Sequence, residues 1–198
     1  MKKILISALV LIFALSGIAC AAKNSSDSSQ KIAVIIIADP DFKTKKTFKH
    51  INDFFGKNAK KDNISLVYGE EVQSKYLEYW FDKGELEEGK PTKDDLTKFV
   101  EFGEYDKVIY LVVKDVSVNQ NTGGAIGSNI GSTTILTSTA WLRASVTVNG
   151  FLVDREKIIK ITSSTKISSD MSQVVYAKQY AFKPCMREIS EVFNPLLR

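Results

Sequence analysis

Residues 31–38 read KIAVIIIA, seven apolar side chains of which five are β-branched. Alternation between apolar and polar positions is missing, so neither side of the segment is suited to water. That is the pattern of a central strand covered on both faces. Lys107–Val113 (KVIYLVV) repeats it, which predicts a second buried strand beside the first.

Between these strands the apolar residues recur at helical spacing. Asp39-Pro40-Asp41 ends the first strand, and a helix is expected from about Lys43 to Asn58, with Phe48, Ile51 and Phe55 inward. Ile64–Tyr68 reads as a short strand. A helix from Glu70 to about Lys83 follows, with Val72, Tyr76, Trp80 and Tyr79 as its inward stripe and Gly84 at its stop. Glu85–Lys90 is a polar connector. Thr92 with Asp95 makes a capping box for a helix that buries Leu96, Phe99 and Val100 and closes at Gly103.

Beyond the second buried strand the texture changes. Asn119–Thr134 is rich in Gly, Ser and Thr and reads as a mobile loop. From Ala140 the period is two: Ala140, Leu142, Ala144, Val146 and Val148 share one face, and Trp141, Arg143, Ser145, Thr147 and Asn149 the other. A turn at Asp154–Lys157 leads to an antiparallel partner strand at Ile158–Ile167. A final amphipathic helix starts near Asp170, with Val174, Val175, Lys178, Phe182, Cys185, Ile189, Val192 and Phe193 as its stripe and either a kink or a break into two abutting helices at Pro184. The sum is one α/β (α+β) domain, residues 31–198, with a mixed sheet of about five strands packed by about four helices.

Tyr105-Asp106-Lys107-Val108-Ile109, a helix ending into a buried strand, and Phe151-Leu152-Val153-Asp154, a strand ending in an Asp turn, stand in this element order. In that respect the chain resembles the periplasmic α/β domains of the amino-terminal region of TolB, of LpoB and of CsgG. The resemblance implies a fold and an envelope setting, and no functional residue.

The amino terminus, MKKILISALVLIFALSGIAC, supplies that setting independently. Lys2 and Lys3 precede an apolar run from Ile4 to Leu15, and Ser16, Gly17 and Ala19 bring small residues up to Cys20. This is the order of an export signal, residues 1–19, and its apolar run is too short to span a bilayer. Gly17-Ile18-Ala19-Cys20 resembles the lipobox of bacterial lipoproteins, which implies acylation of Cys20. The alternative is ordinary cleavage near Ala21 to leave a soluble periplasmic or secreted chain. Residues 20–30 have the small, polar, Ser-rich composition of a tether. The expectation is a lipid-anchored protein of the bacterial cell envelope.

The chain carries 27 basic and 23 acidic residues for a net charge of +4, and removal of Lys2 and Lys3 leaves +2. So slight an excess argues against nucleic acid as a partner, because such binding rests on neutralising many phosphates. With two cysteines in all, one of them Cys20, no disulfide framework is expected and Cys185 reads as a buried thiol.

Candidate chemistry is sparse. Asp39 and Asp41 after a buried strand invite an Asp-dependent phosphatase or metal-dependent hydrolase, although Lys43 stands where D-x-D-x-T needs a threonine; helix capping is the plainer reading. His50, the one histidine, has Lys46 and Phe54 at four-residue spacing and is expected at the surface. The run Lys43, Lys45, Lys46, Lys49, Lys57, Lys60 and Lys61 forms a basic face, opposed by Glu78, Asp82, Glu85, Glu87 and Glu88. Gly123, Gly124 and Gly127 lack the lysine and following helix of a phosphate loop. With Trp141 and Arg143 they are the expected contacts with another envelope protein. No catalytic residue, metal or cofactor is assigned, and a non-enzymatic adaptor is the function these features favour.

Overall fold

A computed structural model of the chain describes residues 29–85, 91–122, 126–130, 133–137, 140–170 and 173–197. The leader, Cys20, most of the tether, Gly123 and Gly124 lie outside the described residues.

The main sheet has five strands in the order β2-β1-β3-β6-β7. They are β1 (Gln30–Ile37), β2 (Ile64–Tyr68), β3 (Lys107–Thr122), β6 (Ala140–Asp154) and β7 (Ile158–Asp170). β2, β1 and β3 run parallel; β3, β6 and β7 are antiparallel. The expected mixed α/β architecture is what forms. The reason is visible in β1, whose Ile32, Val34 and Ile36 enter one apolar cluster while Ala33 and Ile35 enter another. A strand with two apolar faces needs a helical layer on each.

The first layer contains α1, an unbroken run made of an α-helix (Lys45–Ile51), a π turn (Asn52–Gly56) and a second α-helix (Lys57–Lys61), together with α4 (Val174–Phe193). Phe42, Phe48, Ile51 and Phe55 from the first side meet Phe182, Met186, Ile189 and Phe193 over Val146, Val148 and Leu152. The second layer is α2 (Glu70–Asp82) and α3 (Lys93–Phe102). Here Tyr76, Tyr79, Trp80 and Phe99 form an aromatic cluster over Val108 and Tyr110. The buried Tyr110 hydroxyl donates to Leu96 O at 2.7 Å, so its polar end is satisfied.

Several local expectations change. The first helix begins after Thr44, whose Oγ1 accepts from Thr47 N, while Pro40–Phe42 is a separate 3₁₀ turn. Neither Asp39 nor Asp41 caps the helix. Asn119–Thr134 is largely strand rather than loop: β3 runs on to Thr122, and β4 (Ile126–Ile130) pairs antiparallel with β5 (Thr133–Thr137). The backbone ladder supplies that order, which a pattern of buried side chains does not announce. α4 starts at Val174, because Asp170 closes β7 and accepts from Gln173 N. It passes through Pro184 as one helix, and Val192 is exposed rather than inward. Among the described residues no helix is long and apolar enough to cross a membrane.

Candidate functional site

β1 stops pairing with β3 at Ile37–Val112, whereas β3 continues against β6 as far as Thr122. Beyond Val113, therefore, β3 has β6 on one side and no strand of the main sheet on the other. A register shift between Val113 and Asp115 marks the place where β3 leaves the body of the sheet, as bulges at sheet margins do. The result is a three-stranded extension.

α4 covers the β6 part of one face of this extension, burying Ala144, Val146 and Val148, while Val116 and Val118 of β3 on that face are exposed. On the other face, α3 reaches only the β6–β7 turn end, near Val153 and Ile158. From Asn149 outward no helix among the described residues covers that face. Its residues are Arg143, Ser145, Thr147 and Asn149 of β6, opposite Ser169, Ile167, Thr165 and Ser163 of β7, with Trp141 beyond them opposite Asn121 of β3. Thr147 and Thr165 share a hydroxyl hydrogen bond of 3.0 Å. Against this polar ground two large apolar side chains stand open, Trp141 at 46% and Ile167 at 54% exposure, and Ile161, at 51%, is exposed nearer α3, opposite Phe151. The period-two pattern thus places Trp141 and Arg143 together on the solvent face, as expected. Gly127 lies in β4, paired with Leu136, and not in a loop.

The acidic pair does not converge. Asp39 is exposed and its side chain caps nothing. The Asp41 carboxylate accepts from Lys178 Nζ at 2.7 Å, and Asp41 O accepts from Gln179 Nε2 at 3.1 Å. α4 has therefore closed on the turn after β1, where an open α/β sheet would otherwise offer a ligand crevice. Among the described residues no three His, Cys, Asp or Glu side chains gather as a metal site.

His50 is half-buried rather than at the surface, with its ring on Phe54 and its Nδ1 3.7 Å from Asp53 Oδ2. Asp53 is three residues on, a spacing the sequence reading did not use. Burial, then Lys183, holds the imidazole pKa below its ordinary value. Cys185 is fully buried on the inner face of α4, and burial pushes its thiol pKa up. Of the dense aromatics on α2, Tyr79 is buried and Phe81 exposed.

Charge divides by layer. α1 presents Lys45, Lys46, Lys49, Lys57, Lys60 and Lys61 to solvent, while α2 carries Glu70, Glu71, Glu78 and Asp82 on the far side of the sheet. The sequence separates these runs, and the two-layer fold turns that separation into opposite faces.

No family model and no curated protein matches the chain. Among solved structures it is similar to a minor lipoprotein from Acinetobacter baumannii, at 10% identity over 85% of this chain and 91% of that one, with a TM-score of 0.31. It is also similar to lipoprotein GNA1162 from Neisseria meningitidis, at 13% identity, 84% and 97% coverage and a TM-score of 0.37. A third is the hypothetical protein CT253 from Chlamydia trachomatis, at 10% identity, 84% and 96% coverage and a TM-score of 0.38.

Proposed function

We propose that this chain is an exported, membrane-anchored lipoprotein of the bacterial cell envelope, acylated at Cys20, whose α/β domain is a protein-binding adaptor. The leader and the lipobox-like Gly17-Ile18-Ala19-Cys20 support the anchor. The TolB, LpoB and CsgG resemblance rests on element order and supports the same setting. The observation that carries the binding role is the open face of β6 and β7, where Trp141 and Ile167 stand exposed beside Arg143. Aromatic and arginine side chains are the residues most often found anchoring interfaces. The free edge of β3 beside this face offers backbone groups to an extended segment of a partner, which is β-strand addition.

A photo-crosslinking residue at Arg143, compared in cells with one at Glu101, exposed on α3, tests the reading. The expected result is a discrete protein adduct from position 143 that is lost in Trp141→Ala, with no matching adduct from position 101. Equal or absent adducts at the two positions overturn it. Intact mass of the cell-extracted protein, with Cys20→Ala as control, tests the anchor; a mature terminus at Ala21 or later overturns that part.

A further inference from the structure

α1 and α4 enclose a small cavity of about 150 Å³ on the basic side of the molecule. Lys46 and His50 line it from α1, and Gln179, Phe182, Lys183 and Met186 from α4. Thr47 and Tyr180 complete the lining, which holds no carboxylate, and neither Lys46 nor Lys183 has an ion-pair partner among the described residues. The Lys46 ammonium sits 4.9 Å over the Tyr180 ring, held at the mouth of the cavity by the ring's negative face. His50 Nδ1 is buried in a side chain only 17% exposed, and Asp53 Oδ2 stands 3.7 Å from it, beyond hydrogen-bond distance. Phe182 and Met186 are fully buried and supply an apolar floor.

We propose that this cavity binds a small monocarboxylate, its carboxylate between Lys46 and Lys183 and its short alkyl body against Phe182 and Met186. Size sets the first limit. At about 30 Å³ for each water-sized volume the space takes roughly five such units, which suits a free acid of a few carbons and excludes a nucleotide or a peptide. The floor sets the second. A phosphate would lose hydration on every oxygen, and Phe182 and Met186 return no hydrogen bond for it. A carboxylate keeps its charged end at the cationic mouth and buries only its tail.

The ring of His50 reports on occupancy. Burial and three groups act on it: burial, Lys183 from α4 and Lys46 from its own helix disfavour its protonated form, and Asp53 favours it. A carboxylate placed between the two lysines opposes their field. The imidazole pKa then rises, and by linkage the ligand binds more tightly below that pKa than above it.

Because the chain has one histidine, its imidazole proton signal in the full-length mature protein is an unambiguous readout. Butyrate is the probe, with 1-butanol supplying the same tail uncharged and inorganic phosphate the charge without a tail. Butyrate is expected to shift the His50 signal saturably and to raise its pKa by about one pH unit, which is about tenfold tighter binding to the protonated form. Lys183→Gln is expected to weaken butyrate about tenfold and to raise the His50 pKa of the free protein, by removing a charge that depresses it. A folded protein whose His50 signal butyrate leaves unmoved overturns the proposal. So does an equal response to butanol, or a stronger one to phosphate.

Discussion

The side-chain amide of Gln73, buried on α2, takes the place of a neighbouring strand for Ile36 of β1. In the orientation that satisfies the network, its nitrogen donates to Ile36 O at 3.0 Å and its oxygen accepts from Ile36 N at 2.8 Å. β2 pairs with β1 only as far as Val34–Tyr68, so the backbone of Ile36 has no strand beside it on that edge. Gln73 lets β1 continue two residues beyond its partner without leaving buried backbone groups unpaired.

Replacing Gln73 by Leu keeps the volume and removes both bonds. The expected cost is about 2–3 kcal/mol, most of it from the Ile36 groups left unpaired in the interior. Urea unfolding should show a lower midpoint with an unchanged slope. An unchanged midpoint would mean that water replaces the amide at no cost.

Asp95 governs the response of the second helical layer to acid. Burial alone would raise its carboxyl pKa, but hydrogen bonds from Lys83 and from the Thr92 hydroxyl and backbone outweigh it and hold the carboxyl at about 2. A folded value below the unfolded one stabilises the fold above about pH 4, and that contribution is lost as the pH falls toward about 2. It amounts to about 2 kcal/mol. Asp95→Asn should remove this part of the acid dependence, measured as stability between about pH 5 and 2.5. The sign reverses at the alkaline end. Tyr79, buried and donating to Asp95 Oδ1 at 3.3 Å, is pushed up to about 12. Its contribution is present below about pH 10 and lost as the pH rises through 12. Tyr79→Phe should flatten that limb.

At Gly150 side chains of α4 pack directly on the backbone of β6. A Cβ there would lie 2.7 Å from Ile189 Cγ2 and 3.1 Å from the Phe193 ring. Both neighbours are fully buried, so neither can swing into solvent. Gly150→Ala should cost about 1–3 kcal/mol through overpacking, read as a drop in thermal midpoint. Adding Ile189→Ala should recover part of that loss, and purely additive losses would exclude the contact as the cause.

These features differ in how far a linear reading reaches them. β1 and the first half of β3 are legible because unbroken β-branched runs admit one environment. The Thr92–Asp95 box is legible because its two halves are three residues apart. Trp141 and Arg143 fall on the open face because a period of two leaves no choice once Val146 and Val148 are inside. Partners distant in sequence are not legible. Lys178 neutralises Asp41 from 137 residues away, and nothing local to either residue announces it. The cavity beside His50 needs α1 and α4 brought together, and Gln73 looks like an ordinary helical glutamine until β2 ends short. β4 and β5 were missed for another reason: their ladder is made of backbone bonds, which composition does not encode.

Cys185 tests the tightness of the first layer without a mutation. Its Sγ lies 3.6 Å from Val146 O and 3.5 Å from Ser164 O, on the inner face of α4 and out of contact with solvent. Burial raises its pKa, so little thiolate forms near neutral pH, and reagent reaches that thiolate only when α4 lifts. Iodoacetamide labelling of the Cys185 peptide, followed by mass spectrometry, should be at least about 100-fold slower in the native protein than in urea. The native rate should also track global stability across the Gly150 variants, because one packing contact controls both. Rapid native labelling, at a rate indifferent to those variants, would show that α4 opens on its own while the sheet stays folded.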